Sequence, residues 1–199
     1  MATRAPKTKR GTARRETLLR SAERVIGEKG FAAASIADIT RDCGAALGTF
    51  YIYFTSKEDV FRELVGMMGS LTRRMMTEAV QDAPNRLEAE RLGLRAFLAF
   101  VAERPSLYRI VEEARFVDPD AYRAYFTGFA SAYATHLEKA VAKGDIRPGD
   151  AEVRAWALMG MAKSLGDRFV MAAEKPDLDR VTDEAFAMIR DGLAPGGAA

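Results

Sequence analysis

The chain has 199 residues, 48 % hydrophobic and 29 % charged, with a formal net charge of +2. That balance belongs to an ordinary soluble globular protein with enough chain for a sizeable core in one large domain or two small ones, and no apolar run approaches the roughly 18 residues of a membrane span. One Cys and one His exclude an internal disulfide framework and argue against a protein-only zinc site, so neither a metal nor a cofactor is expected.

The charge is unevenly spread. Residues 1–57 carry 11 Lys/Arg against 5 Asp/Glu, and the rest carries 19 against 23. A basic head on a slightly acidic body is the footprint of a protein that meets nucleic acid. The first stretch, residues 1–11, holds Arg4, Lys7, Lys9 and Arg10 among Ala, Thr, Pro and Gly. It reads as a disordered basic arm, suited to phosphates or the minor groove or serving only solubility. Its basic start lacks the apolar core of a secretory signal, and a cytoplasmic location is expected.

A helix is predicted over 12–29, with Leu18, Ala22, Val25 and Ile26 on one side. Arg14 and Arg15 stand at the positive end of its dipole, where cations make better sense beside phosphate than for stability. Gly30 ends it. Ser35 then opens a short helix, with Asp38 completing a capping box. Gly44 suits the left-handed turn that follows, and a second short helix begins near Ala46. Two short helices joined by a glycine turn are a helix-turn-helix, whose second helix enters the major groove. Phe50 and Phe54, four apart, are its predicted core side. Ala46, Leu47, Gly48, Thr49 and Ile52 lie toward the start and the outer side: Thr49 offers a hydroxyl, Ala46 and Leu47 only apolar contact, and Gly48 room for close backbone approach. Tyr51 and Tyr53 carry phenols that suit phosphate oxygens.

Ser56 to Asp59 form another capping box, and a long helix is predicted to about residue 81, ended by Pro84. More helices follow: 87–103, 105–116, one capped by Asp118 with Pro119 in its first turn and reaching about 143, one capped by Asp150 reaching about 173, and a last one to about 192. The fold class is therefore all-α. The organisation is a basic arm at 1–11, a three-helix DNA-binding head at 12–57, a larger helical domain at 58–193 and a disordered tail at 194–199.

The set Gly30-Phe31, Ser35 to Asp38, Gly44, Gly48 to Phe54 and Ser56-Lys57-Glu58 resembles the tetracycline-repressor (TetR) family of bacterial transcriptional regulators. The chain departs from that family at Ala46-Leu47, where a small polar residue and then a polar or basic one are usual. The resemblance implies that Thr49, Tyr51, Tyr53 and Lys57 touch DNA, with Ser35, Ala46, Leu47 and Gly48 completing the candidate DNA-binding set. It also implies a connecting helix that moves when ligand binds, and a four-helix interface built from the last two long helices of each of two subunits. The candidate stripes are Val153, Trp156/Ala157, Gly160 and Ser164 on one helix and Leu178, Val181, Ala185 and Met188/Ile189 on the other. A homodimer places two recognition helices on an inverted-repeat operator in double-stranded DNA, about 34–36 Å apart.

The larger domain is rich in rings. Phe97, Tyr108, Tyr122, Tyr125, Phe126, Phe129 and Trp156, with Arg109, Glu112 and Lys163 as polar groups, form the candidate set for a small-molecule effector, since ligand pockets are mostly apolar with a few polar groups. The lone His136 reads as structural or exposed rather than as a ligand contact. The run from Tyr108 to Phe126 is similar to regulators of fatty-acid or aromatic-acid breakdown that respond to acyl-coenzyme A; a multidrug-type pocket is the rival. The function expected is a ligand-responsive transcriptional repressor. The alternatives are a small all-helical enzyme, for which no catalytic constellation appears, and a non-specific DNA-compacting protein.

Overall fold

The computed structural model describes residues 8–195. Among the described residues it contains nine α-helices and one π-helical turn, with no strand. The helices are α1 (Lys9–Lys29), α2 (Ile36–Asp42), α3 (Leu47–Tyr53), α4 (Lys57–Val80), α5 (Arg86–Glu103), α6 (Pro105–Val117), α7 (Pro119–Lys143), α8 (Ala151–Leu165), continued by the π-helical turn Gly166–Met171, and α9 (Leu178–Leu193). The expected all-α fold is the one adopted. It divides into two compact units, one drawn from residues 1–69 and 105–125, the other from 70–104 and 126–199. The first unit thus takes in a segment far along the sequence.

The boundaries follow local chemistry. Asn85, Asp150 and Asp177 cap α5, α8 and α9 by accepting from the third backbone N–H beyond them; Asp118 does the same for α7, accepting from Ala121 at 3.0 Å. Helix α1 starts at Lys9 rather than residue 12, because the Thr8 hydroxyl accepts from the Gly11 N–H at 3.1 Å and supplies a cap. Of the predicted arm, residues 1–7 lie outside the described residues, as do residues 196–199 of the predicted tail.

The first unit is built around Leu18, Ile26, Ile39, Phe50, Phe54, Phe61 and Leu64, all at most 1 % exposed, joined by Ile110 and Ala114 from α6. Helices α1 and α6 meet at Gly27, where a Cβ would lie 2.3 Å from the Ser106 Cβ and 2.8 Å from its Cα. Neither neighbour is a flexible side-chain end that could swing away. Gly27→Ala should therefore part the two helices and cost about 1–3 kcal/mol, the usual penalty of overpacking, read as a lower thermal midpoint.

In the second unit α5 packs against α9, α8 and the π-helical turn. Leu94, Leu98 and Val101 of α5 are buried, as are Val181, Ala185 and Ile189 of α9. This corrects the expectation for α9: its Val181–Ala185–Ile189 stripe is core within the chain, and a heptad-like stripe alone cannot say which partner covers it. In the same unit the phenol of the half-buried Tyr133 donates to the Glu90 carboxylate. Glu90, 4 % exposed, also accepts from Arg86 at 2.6 Å. Burial first, then the Glu90 charge, raise the Tyr133 phenol above its ordinary value, so it stays a donor.

Candidate nucleic-acid interface

The turn between α2 and α3 has Schellman geometry: Ala45 N–H donates to Thr40 O at 2.8 Å and Gly44 N–H to Arg41 O at 3.2 Å. Gly44 sits at φ +62°, a conformation costly for a side chain. The turn fixes α3 against α2, and α3 divides by periodicity. Phe50 and Phe54 are 0 % and 1 % exposed, whereas Leu47, Tyr51 and Ile52 are 51 %, 55 % and 66 % exposed. Ala46 and Gly48 are exposed beside them and Thr49 is half-buried. Ala46 provides no side-chain cap for α3. Tyr53 is half-buried, and it packs against the core of the head.

Two of the predicted contacts have other work. Ser35 caps α2: its hydroxyl accepts from Asp38 N–H at 3.0 Å and donates to the Asp38 carboxylate at 2.8 Å. The Lys57 ammonium donates to Phe31 O at 2.6 Å and Ala34 O at 2.8 Å, and lies 4.2 Å from the Phe31 ring centre. Two of its three hydrogens thus tie α4 to the loop between α1 and α2. Lys57→Met should cost about 2–4 kcal/mol, since two charge-assisted bonds go and two carbonyls lose their donor; unfolding of the variant should come at lower denaturant, with the salt dependence of DNA binding little changed.

Arg15, expected beside phosphate, instead makes a two-pronged pair with Glu63 and lies 4.9 Å from the Phe54 ring centre. Arg14 remains exposed, as do Lys9 and Arg10, so the start of α1 presents cations without an acidic residue in its first turn. Glu113 of α6, which no local pattern marks, accepts from Phe31 N–H at 2.8 Å. A Cβ on Gly30, which sits at φ +79°, would approach the same carboxylate to 2.8 Å. Ser21, Arg24 and Asp42 tie α1 to α2, the Ser21 hydroxyl lying 2.6 Å from Ile39 O. The Ser35 hydroxyl, then Lys29, hold the Asp38 carboxyl at about 2; Arg24, then Ser21, lower Asp42. Folded values below the unfolded one mean stability present above about pH 4 and lost as pH falls toward 2.

The effector candidates are divided between the units. Tyr108, Arg109, Glu112, Tyr122 and Tyr125 belong to the first, and Phe97, Phe126, Phe129, Trp156 and Lys163 to the second. Tyr108 is 5 % exposed, and Tyr122 and Tyr125 pack against the core of the head. Arg109 reaches the Gly27 carbonyl at 3.4 Å near the end of α1. Phe97, Phe126 and Phe129 are half-buried, with the Arg73 guanidinium 5.7 Å from the Phe129 ring centre. Lys163 donates to Asp167 at 3.0 Å, and Trp156 is 44 % exposed.

The sequence pattern described as "Bacterial regulatory proteins, tetR family" matches residues 18–64, from α1 into α4. Residues 18–64 thus form a TetR-family head. YdgC of Bacillus subtilis (strain 168), an uncharacterised HTH-type transcriptional regulator, is 27 % identical over 195 residues, 94 % of this chain and 96 % of YdgC. The HTH-type transcriptional regulator EthR of Mycolicibacterium smegmatis is 29 % identical over 132 residues, 63 % of this chain and 60 % of EthR. The fold is shared with FadR of Bacillus subtilis, a transcriptional regulator solved with stearoyl-CoA: TM-score 0.78, 21 % identity, 89 % of this chain and 98 % of that one. It is shared also with AibR, solved with isovaleryl coenzyme A and operator DNA: TM-score 0.73, 20 % identity, 88 % and 97 % covered. Among the described residues no helix is long and apolar enough to cross a membrane.

Proposed function

We propose that the chain is a cytoplasmic, ligand-responsive transcriptional repressor, a binding protein rather than an enzyme, that holds an inverted-repeat operator as a homodimer. The observation that carries this reading is the split of α3: Phe50 and Phe54 anchor it in the head, while Leu47, Tyr51 and Ile52 face outward on a helix too short to exist without that anchor. A short helix presented in this way, beside exposed Lys9, Arg10 and Arg14, is a tool for the major groove. Thr49 and Tyr51 supply hydroxyls to bases or phosphate, and the head's net positive charge supplies sequence-independent attraction.

The dimer uses the outer side of α8 and α9. Val153, 64 % exposed, Trp156, Ala157, Gly160 and Ser164 line α8, and Met188, 69 % exposed, stands on α9. Between them a groove of about 380 Å³ runs past Met161, Phe169 and Ala187. Small residues there permit close approach of a second pair of helices.

The effector is an acyl-coenzyme A, a reading that rests on the fold shared with regulators solved with isovaleryl and stearoyl thioesters. It acts by favouring one of two separations of the paired heads, and can shift that equilibrium only by its difference in affinity, typically about 1–3 kcal/mol. Titrating C4 to C18 acyl-coenzyme A into a preformed complex with the duplex upstream of the chain's own gene should lower the fluorescence anisotropy of labelled DNA. Free coenzyme A should do nothing. Release by none of the thioesters would reject this class of effector and leave hydrophobic drug-like compounds as the alternative.

A further inference from the structure

Helix α3 contains no charged and no amide side chain: Leu47–Tyr53 reads LGTFYIY. Two-pronged recognition of guanine takes Arg or Lys, and of adenine Asn or Gln. Neither is on offer within the helix that faces outward. What it presents is apolar: Ile52 is 66 % exposed and Leu47 51 %, with the exposed Ala46 methyl beside them. The one apolar feature of the major groove is the C5-methyl group of thymine. Gly48, with nothing within 4 Å of where a Cβ would stand, leaves the backbone free to approach.

We propose that Leu47 and Ile52 are the specificity-determining residues and that they read thymine methyl groups, so that each operator half-site is A·T-rich beneath α3. The inference rests on the reading of the chain as a sequence-specific regulator. Double-stranded DNA, rather than another protein, is the occupant of this apolar face because the segment around it is basic, with 11 Lys/Arg against 5 Asp/Glu in residues 1–57, and because the face is continuous with a helix-turn-helix. Thr49 adds one hydroxyl, and the exposed Tyr51 phenol a second. These contacts position the helix, while discrimination falls to the two aliphatic side chains.

The experiment selects duplexes from a random library with the full chain, then titrates the best one at fixed salt. Each thymine of a half-site is replaced in turn by deoxyuridine, which removes only the methyl group. At two positions the affinity should fall roughly fourfold, the fold-change that corresponds to about 0.8 kcal/mol for one buried methyl. The loss should vanish at one position in Leu47→Ala and at the other in Ile52→Ala, because the contact is already gone. A selected half-site rich in G·C, or deoxyuridine effects that are absent or unchanged in both variants, would overturn the inference and leave the regulator standing. Failure to select any sequence over random duplex would instead sink the regulator reading, and this inference with it. Should the chain ignore DNA and self-associate in a manner lost in the two variants, the face is a protein contact and the inference is overturned. The deoxyuridine arm uses the unaltered protein, so it does not depend on how the variants fold.

Discussion

Phe50→Ala is expected to unfold the head. Phe50 is fully buried, with ring contacts to Phe54 at 5.4 Å and Tyr51 at 5.5 Å between centres. Removing a large buried ring costs about 3–5 kcal/mol through lost transfer energy and the cavity left behind. Whole proteins are stable by only about 5–15 kcal/mol, and α3 has seven residues and no side-chain cap of its own. Helix α3 should therefore lose protection from amide hydrogen exchange before α5 and α9 do, and DNA binding should be lost. Tyr51→Phe, on the exposed side, serves as the control and should leave the stability within about 0.5 kcal/mol of the parent. Equal damage from both changes would mean that α3 is not divided into a buried and an outward side.

Trp156→Asp should break the proposed dimer. The Trp156 ring is 44 % exposed in the single chain, on the same side of α8 as Val153 and Gly160. A carboxylate there would be taken from water without a partner in a dimer, at a cost of several kcal/mol for each copy. Sedimentation should show monomers with unchanged helix content. Two tethered recognition helices gain roughly 100-fold or more in avidity over one, and operator affinity should fall accordingly. A Trp156→Asp protein that sediments as a dimer would remove α8 from the interface.

Much of this fold can be read from sequence because its punctuation is local. Ser35 with Asp38, Asn85, Asp118 and Asp150 each bond to a backbone N–H three residues away, and Gly30, Gly44 and Gly144 are, among the described residues, those that take positive φ. Such signals lie within a few residues of the boundary they set. Partners far away leave no such trace. Glu113 holds Phe31 across 82 residues, and Ile110 and Ala114 complete the core of the head from α6. Periodicity says which side of a helix is apolar but not what covers it. That is why the Val181–Ala185–Ile189 stripe of α9 reads equally well as an interface and as the core it is. Charge is as silent about partners: Arg15 and Lys57 look like phosphate ligands because they are basic and near a helix start, and within the chain Glu63 engages the first and two backbone carbonyls the second. Within α3 the four-residue spacing of Phe50 and Phe54 fixes which side is buried, and Leu47, Tyr51 and Ile52 are left facing outward.

The proposed function depends on the outward side of α3, and one titration puts that dependence to the test. Labelled duplex from upstream of the chain's own gene would be titrated with the parent protein and with a Thr49→Ala/Tyr51→Ala double variant of matched thermal midpoint. Saturable binding by the parent, tighter than to random duplex, is expected, with at least a tenfold loss in the double variant. Equal affinity of the two proteins for that duplex would contradict that dependence.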